Sequence, residues 1–210
     1  MADTLNAKDI LLTIIDEVEK NKAWLSEIDG AVGDGDHGIN MAKGMGMVRQ
    51  KAERAGGSLG ELLHLAGMTL LSNIGGAMGP IYGTFFMKMG KAIEGKEKIG
   101  KEDLRNMLFF ALEGVKQRGG AQVGDKTLVD TLETAAKGYE EAVNAGKDLP
   151  SAIDRMIESA RSGMESTKDL VAKLGRSSRL GERSKGTIDA GAASCYVILK
   201  AFGESLKKYV

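Results

Sequence analysis

Apolar residues recur every three or four positions along most of the chain, the spacing typical of amphipathic α-helices. The first such segment runs from about residue 7 to residue 27 and carries Ile10, Leu11, Ile14 and Val18 on one face. Few segments alternate apolar and polar residues, which is the pattern of half-buried strands. The pattern therefore predicts an all-α fold of about eight antiparallel amphipathic helices.

Glycine clusters and helix-capping residues indicate where these helices begin and end. Ser58, with Glu61 three residues later, predicts a capping box at the start of the third helix. Asp189 is expected to cap the last helix. We expect the helices at about residues 7–27, 36–54, 59 into the segment 67–80, 80–93, 102–118, 124–145, 149–173, and from 189 onward.

The composition agrees with helices and narrows the class of protein. Ala, Leu, Lys and Glu are frequent, methionine occurs eleven times, aromatic residues make up 5%, and proline occurs twice, which favours helix over strand. With 210 residues, of which 42% are hydrophobic and 28% charged, the chain has the size and balance of one globular domain. We therefore treat residues 1–210 as a single domain.

The charge and hydropathy patterns argue against several functional classes. The 29 basic residues balance the 29 acidic ones, so nothing marks a nucleic-acid or membrane surface. No basic segment with an apolar run opens the sequence, and no apolar stretch approaches about 20 residues. Cys195, the single cysteine, has no partner for an internal disulfide. We expect a cytoplasmic protein with no nucleic-acid partner and no membrane span.

The densest chemistry lies between the first two helices, in residues 29–40, hereafter the acidic loop. These twelve residues include three aspartates, four glycines, one histidine and one asparagine. Asp29, Asp34 and Asp36 would repel one another unless a cation lay among them, and oxygen ligands suit a hard cation such as Mg²⁺ or Ca²⁺. Glycines let backbone N–H groups converge on an anion. The acidic loop therefore predicts a Mg²⁺–phosphate site.

Other interpretations of the acidic loop fit less well. An EF-hand starting at Asp34 would need glutamate at position 45, where the chain has Met45. Three of its glycines match the dinucleotide fingerprint G-x-G-x-x-G, but no strand precedes them. A solvated turn in which Asp36 caps the next helix would explain one aspartate. Three aspartates separated by glycines favour the metal.

Three further segments stand out from the helical pattern. Residues 75–80 form a second glycine-rich turn, although a tight helix–helix turn is an equally good interpretation. Residues 124–127, Gly-Asp-Lys-Thr, open the sixth helix. Residues 174–186, hereafter the basic loop, are long for a connection between helices, which suggests a functional loop. Its arginines suit phosphate, although a solvated loop is the default interpretation.

Together these segments resemble one known family. Asp29 and residues 33–41, 75–80, 124–127 and 180–184 follow the order and spacing of the nucleotide-binding L subunit of dihydroxyacetone kinase. The same unit is the C-terminal domain of ATP-dependent dihydroxyacetone kinases, and the resemblance covers essentially the whole chain. It implies a closed barrel of eight antiparallel amphipathic helices, with the nucleotide held at one end through magnesium.

The resemblance also implies the residues of the site. Its metal ligands fall on Asp29, Asp34 and Asp36, with two Mg²⁺ ions expected. Two positions depart from the family pattern: Met78 replaces a frequent serine, and Ala190 replaces the proline of Asp-Pro-Gly. The expected contacts to ADP or ATP are His37, Gly38, Ile39, Asn40, Ala77, Met78, Gly119, Leu128, Arg176, Asp189, Ala190 and Gly191.

The function implied by the resemblance is phosphoryl transfer among subunits. ADP is a bound cofactor that a phosphohistidine-bearing M subunit of the sugar phosphotransferase system recharges to ATP, and a K subunit holds dihydroxyacetone. No covalent catalytic residue is expected on this chain. A phosphohistidine on His37 is less favoured than a nucleotide contact, because the bound nucleotide can itself carry the phosphoryl group.

Two alternatives to this function stay open. One is a nucleotide subunit that serves an ATP-dependent K subunit or a K subunit for another ketose. The other belongs to a different class, a lipid-binding or coregulator module in which the metal site is structural.

Overall fold

The computed structural model describes residues 5–210, and this part of the chain folds into nine α-helices and three short 3₁₀ segments, with no strand. The prediction of an all-α fold is confirmed. The α-helices are α1 Ala7–Lys20, α2 Lys22–Gly30, α3 His37–Arg54, α4 Leu59–Asn73, α5 Met78–Ala92, α6 Lys101–Gly119, α7 Leu128–Asn144, α8 Leu149–Ser166 and α9 Ala190–Leu206. The 3₁₀ segments are Thr167–Asp169, Arg176–Ser184 and Lys207–Tyr209.

The first predicted helix is in fact two helices, divided at Asn21. This residue leaves the helical conformation, with φ −89° and ψ 6°. Its backbone N–H and its side-chain amide both donate to the carbonyl oxygen of Glu17, at 3.1 Å and 2.7 Å. Because an asparagine side chain competes with the backbone in this way, it ends α1 within an otherwise continuous apolar pattern. This division raises the count above the eight helices expected.

Two other predicted boundaries move at the ends of α7 and α8. Residues 124–127 form a turn, and α7 begins only at Leu128, after Thr127 as its N-cap. The helix predicted to reach residue 173 ends at Ser166, because the chain tightens into a 3₁₀ turn in which Thr167 Oγ1 donates to Met164 O at 2.6 Å. The capping box of Ser58 and Glu61 is present, as predicted.

The helices pack in a closed ring around one apolar core. In chain order α1, α3, α4, α5, α6, α7, α8 and α9 each contact the next, and α9 returns to contact α1. Helix α2 lies at one end, against α3 and α9. Side chains such as Phe85, Phe86, Tyr139 and Phe202 are completely buried inside the ring. The ring closes as a helical barrel requires, and its interior is packed with side chains.

Helices α4 and α5 approach each other backbone to backbone. A Cβ atom placed on Gly67 would lie 2.6 Å from the carbonyl oxygen of Gly83, and one on Gly90 would lie 2.5 Å from that of Gly60. Only glycine fits such contacts, because any side chain would separate the two helices. The glycines therefore allow α4 and α5 to pack in close contact along most of their length.

Alternate connections between helices share one end of the ring. Successive helices run in opposite directions because short connections join neighbours that pack together. The connections after α2, α4, α6 and α8 meet at one end, and those after α3, α5 and α7 lie at the other. Between residues 5 and 210 no helix has the combination of length and apolar character that a membrane crossing demands.

Candidate functional site

The four connections at one end enclose a cavity of about 390 Å³. It collects residues from segments far apart in the sequence, as a ring with alternating helix directions requires. Ten of the twelve residues expected to contact nucleotide line it: His37, Asn40, Ala77, Met78, Gly119, Leu128, Arg176, Asp189, Ala190 and Gly191.

The other two expected nucleotide contacts, Gly38 and Ile39, lie in the first turn of α3 outside the cavity lining. Gly38 is buried against α2, where an added Cβ would lie 2.1 Å from the carbonyl oxygen of Lys22. Ile39 points outward and is 51% exposed. Gly38 therefore sets the close approach of α2 and α3, and Ile39 is part of the surface around the cavity.

The three aspartates of the acidic loop come together beside this cavity. One carboxylate oxygen from each of Asp29, Asp34 and Asp36 lies within 4.8 Å of the others. Gly33 makes the tight turn possible, since an added Cβ there would lie 2.6 Å from Asp29 Oδ1. Oxygen-only donors at this separation suit a hard divalent cation. The donor set present thus fits Mg²⁺.

Asp36 occupies the N-cap position of α3, but its side chain makes no capping hydrogen bond. Asp29 Oδ2 instead accepts the backbone N–H of His37 at 3.2 Å. The helix start is therefore bound by a carboxylate from α2, and the Asp36 carboxylate lies instead in the cluster with Asp29 and Asp34. The interpretation of Asp36 as a simple cap does not describe this geometry.

Arg176 reaches from the basic loop to the acidic loop. Its Nη1 pairs with Asp34 and lies 3.5 Å from Asp36 Oδ2. It also lines the cavity, so its guanidinium stands between the carboxylates and the space beside them. One positive charge against three carboxylates leaves a net negative charge of two, which still favours a divalent cation.

His37 is held by a buried hydrogen-bond network that the sequence does not indicate. Its Nε2 lies 2.8 Å from Ser194 Oγ, which also contacts the hydroxyl of Tyr82. That hydroxyl lies within hydrogen-bond distance, 3.1 Å, of the Gly191 carbonyl oxygen. Burial lowers the pKa of His37 to about 4, although the Asp29 carboxylate acts in the opposite direction. The imidazole is therefore neutral near pH 7 and fixed in orientation.

The first turn of α9 forms another wall of the cavity. Asp189 caps the helix, as predicted, with Oδ2 accepting the backbone N–H of Ala192 at 2.8 Å. Burial raises the pKa of Asp189 to about 6, against the lowering effects of that hydrogen bond and of Lys126. The N-terminal end of a helix favours an anion. Ala190 and Gly191 present this helix end to the cavity.

The glycine-rich turn between α4 and α5 forms the opposite wall. Gly76 has φ +67°, and Gly75 has no atom within 4 Å of where a Cβ would lie, so the backbone here is open to the cavity. Ala77 and Met78 follow at the start of α5. A second helix N-terminus thus faces the same space.

Three residues at the cavity end were not predicted from the sequence to belong to the site: Tyr82, Lys126 and Ser194. Lys126 lies in the Gly-Asp-Lys-Thr segment, which the sequence analysis singles out, so its place near the site could have been predicted. Its side chain is completely buried, and its Nζ donates to two backbone carbonyl oxygens. Tyr82 and Ser194 lie within apolar helical segments, where a polar residue is ordinarily interpreted as part of the hydrophobic core.

A helical ring with clustered carboxylates and four helix N-termini around one cavity defines a helical domain with a candidate metal–phosphate site. The DAK2 domain family matches residues 31–204, and the chain belongs to this family.

The chain matches several named relatives over most of the length of both sequences. It is 40% identical to the ADP-binding subunit DhaL of PEP-dependent dihydroxyacetone kinase 1 from Listeria innocua, over 89% of this chain and 88% of the relative. It is 35% identical to the corresponding DhaL of Escherichia coli, over 88% and 89% of the two chains.

The fold also matches a solved structure. The dihydroxyacetone kinase of C. freundii, in complex with AMP-PNP and Mg²⁺, superimposes with a TM-score of 0.70 at 24% sequence identity. The match covers 98% of this chain and 35% of that one. This likeness supports the helical fold, and the present chain corresponds to about a third of the kinase chain.

Proposed function

We propose that this chain is the subunit of a dihydroxyacetone kinase that holds ADP and ATP through Mg²⁺. The observation that carries the proposal is the meeting of three carboxylates with a cavity lined by the N-termini of four helices, α3, α5, α7 and α9. Such a pair of features suits a metal-bound polyphosphate, since the cation binds carboxylates and phosphate oxygens together. The relatives named as ADP-binding subunits support the choice of nucleotide.

In this proposal Asp29, Asp34 and Asp36 would hold the metal, and two Mg²⁺ ions are proposed. When bound, the metal neutralises charge on the phosphoryl oxygens during transfer. The residues proposed to contact the nucleotide are His37, Gly38, Ile39, Asn40, Ala77, Met78, Gly119, Leu128, Arg176, Asp189, Ala190 and Gly191.

The chain's own residues position the phosphates and take no covalent part in the proposed reaction. Backbone N–H groups at the starts of α5 and α9 offer donors to phosphate oxygens. Arg176 has a bidentate guanidinium that suits the phosphates once a cation takes the carboxylates. His37, neutral and held by Ser194, can contact phosphate without adding a charge.

Phosphoryl transfer in this proposal requires two other subunits. A phosphohistidine-bearing M subunit recharges the bound ADP to ATP, and a K subunit presents dihydroxyacetone to it. The walls of the cavity offer N–H groups and a guanidinium, which address phosphates, and a small uncharged ketone needs more positioning than these provide. Arg179 and Arg183 of the basic loop are candidates for docking contacts with a partner.

The test of the metal assignment is the affinity of the purified chain for ADP with and without Mg²⁺. We expect Asp34→Ala and Asp36→Ala to weaken Mg²⁺-dependent ADP binding by about a hundredfold or more, since even the partners of metal ligands contribute ten- to hundredfold. Helicity and thermal unfolding should stay close to the parent, because both residues lie in a loop.

Asp154→Ala is the matched control. Asp154 is an exposed aspartate near the start of α8 that pairs with Lys207, and exposed pairs contribute little. It should leave ADP affinity unchanged. Retention of ADP by either acidic-loop variant at the parent's affinity would refute the metal assignment.

The test of the partner requirement is a coupled assay for dihydroxyacetone phosphate. The chain alone, with Mg²⁺, ATP and dihydroxyacetone, should form no product at a meaningful rate, and addition of a K subunit should start turnover. Turnover by the isolated chain comparable to that of the complex would contradict the subunit proposal.

The second candidate function is that of a nucleotide subunit that serves a kinase for another ketose, or one that takes its phosphoryl group from free ATP. One comparison favours it. The chain is 35% identical to an L-erythrulose kinase of Pectobacterium atrosepticum over 96% of its length, although it covers only 34% of that relative. Exchange of the bound nucleotide with free radiolabelled ATP separates the two. Rapid exchange favours the ATP-dependent kinase, and slow exchange favours recharging in place.

A further inference from the structure

Lys126 is the single completely buried lysine or arginine side chain between residues 5 and 210. It lines the cavity from the turn before α7. It is also the one non-glycine residue in that range with a left-handed backbone, at φ +62°. Burying an ammonium group and holding a lysine in this conformation both raise the free energy of the folded state. Contacts around Lys126 must offset both.

Those contacts join the backbone on both sides of the basic loop. Lys126 Nζ donates to the carbonyl oxygens of Thr167 and Thr187, each at 2.5 Å. Thr167 directly follows α8, and Thr187 lies two residues before the N-cap of α9. One ammonium therefore fixes where the long connection leaves α8 and where it returns to α9.

The turn that carries Lys126 is itself anchored to α7. Asp130, buried in the first turn of α7, accepts the backbone N–H groups of Gly124 at 2.6 Å and Thr127 at 2.7 Å. From the same turn, Asp125 Oδ1 accepts Lys173 Nζ at 3.1 Å, and its carbonyl oxygen accepts the Lys173 backbone N–H at 3.2 Å. The turn thus links α7 to the start of the basic loop by a second path.

The charges around the ammonium favour its position at the site. Burial lowers the pKa of Lys126, and the carboxylates of Asp189 and Asp130 act in the opposite direction. Asp189 is the N-cap of α9, whose first turn lines the cavity. Lys126 therefore lies where the basic loop, α7 and the α9 N-terminus converge.

We propose that Lys126 is a positioning residue for the nucleotide site: by holding Thr167 and Thr187, it keeps the basic loop closed over the cavity so that Arg176 faces the acidic loop. The inference rests on the proposed function. Arg176 is the basic-loop residue that crosses to Asp34 and Asp36, and its loop has no helix longer than a 3₁₀ segment to fix it. A tether at both ends reduces the loop conformations that binding would otherwise have to restrict.

A double-mutant cycle on Mg²⁺-dependent ADP binding tests this role. Lys126→Met keeps most of the side-chain volume and removes the ammonium. It should raise the Kd for ADP about tenfold in the parent, and less than about threefold in an Arg176→Ala background, because residues that act through one another are not additive. Equal losses in both backgrounds would show that Lys126 does not act through Arg176, and would overturn the proposal.

Hydrogen exchange without ligand tests the same inference independently of nucleotide binding. Amides of residues 174–186 should exchange faster in Lys126→Met than in the parent. Lys116→Met is the matched control, because it removes a partly buried lysine that pairs with Glu133 away from the cavity; its basic loop should exchange like the parent's. Unchanged exchange of the basic loop in Lys126→Met refutes the positioning role even if the parent proves not to bind ADP.

A second variant decides the question if Lys126→Met does not fold. Lys126→Gln also removes the ammonium but keeps an amide that can donate to a carbonyl oxygen, so less buried hydrogen bonding is lost than in Lys126→Met. It should weaken ADP binding in the parent and have a smaller effect in the Arg176→Ala background. Additive losses in this cycle would count against the tether.

Discussion

Individual residues at the cavity end have ionisation properties that burial controls. Asp189, His37 and Lys126 each have a pKa shifted by burial toward the neutral form, to about 6 for Asp189 and about 4 for His37. Burial disfavours charge whatever its sign. Desolvation of these groups therefore raises the free energy of the folded state. Their hydrogen bonds to the backbone and to one another partly offset this cost.

This burial gives Asp189 a distinct effect on stability. Its pKa is about 6 in the folded state against 3.8 for the ordinary group, so the folded chain binds more protons between about pH 4 and pH 6. The free energy of unfolding contributed by Asp189 therefore falls as pH rises through this interval. Asp189→Asn should gain stability relative to the parent, by about 3 kcal/mol between pH 4 and pH 7. Urea unfolding without ligand, at intervals of one pH unit, measures the difference.

Asp148→Asn provides the control for this pH dependence. Asp148 also caps a helix, but it is exposed, and the hydroxyl and backbone N–H of Ser151 hold its pKa below 3.8. Its difference from the parent should be nearly flat between pH 4 and pH 7, since it titrates below that interval. A flat difference for Asp189→Asn as well would mean that its carboxylate is not desolvated.

At the residue scale, the sequence predicts best what local spacing determines. Asp29, Asp34 and Asp36 fall within eight residues, so their convergence required only a tight turn. The pairing of Arg176 with Asp34 joins residues 142 positions apart, and nothing in either segment specifies it. Ser194 lies between Ala193 and Cys195 in an apolar helix, and only the position of His37 in three dimensions reveals its partner.

At the scale of elements, α3 contains one glycine that packing requires and another that packing does not require. Gly38 faces α2, where a Cβ would lie 2.1 Å from Lys22 O and 2.8 Å from the backbone N of Ser26. Gly46 lies eight residues later in the same helix, and a Cβ there would come no closer than 3.8 Å to Glu19 Oε1. The first glycine is required by packing, and the second lowers helix propensity without serving a contact.

The same substitution should therefore have opposite effects at the two positions. Gly46→Ala should raise the free energy of unfolding by up to about 1 kcal/mol, the difference in helix propensity. Gly38→Ala should lower it by about 1–3 kcal/mol, the usual cost of overpacking, and should weaken Mg²⁺-dependent ADP binding because α2 carries Asp29. Urea denaturation of both variants, with ADP titration, measures these effects. Equal stability of the two variants would contradict the packing of α2 on α3.

Helix positions are well predicted because apolar periodicity and capping residues are local, and boundaries fail where a side chain overrides that pattern. Asn21 divides the first helix by bonding back to Glu17, although the apolar spacing continues across it. Thr167 ends α8 in a similar way, through Met164. Both are polar residues whose hydrogen bonds to the preceding turn compete with helix continuation.

At the scale of the whole molecule, the all-α fold follows from the sequence pattern, whereas the order of packing does not. Amphipathic faces require that each helix bury one side, but many arrangements would satisfy them. The closure of α9 on α1 depends on contacts between the two ends of the chain, which no local pattern specifies. The grouping of alternate connections into one cavity follows once the ring and the alternating directions are known.

The closure also places the start of α1 and the C-terminal segment away from the cavity. Tyr209 Oη donates to Asp9 Oδ2 at 2.9 Å, so the C-terminal segment lies beside the start of α1 at the end opposite the acidic loop. The connection that contains Gly95 lies at that same end, and no atom lies within 4 Å of a Cβ placed on Gly95. Exposed glycine turns of this kind tolerate new chain ends.

We therefore expect the site to form even when the helices are connected in a different order. A circular permutant that joins the original ends by a flexible linker and opens at Gly95 should bind ADP with Mg²⁺ within about threefold of the parent, a difference below about 1 kcal/mol. A permutant with the same linker that opens at Gly120, beside the cavity, should lose binding, because its new ends disrupt the turn that carries Lys126. Equal affinity in the two permutants would mean that the α6–α7 connection is dispensable for the site. With the expected difference between the two permutants, the chain is a ring of helices that can be opened at the end opposite the cavity but not at the cavity end.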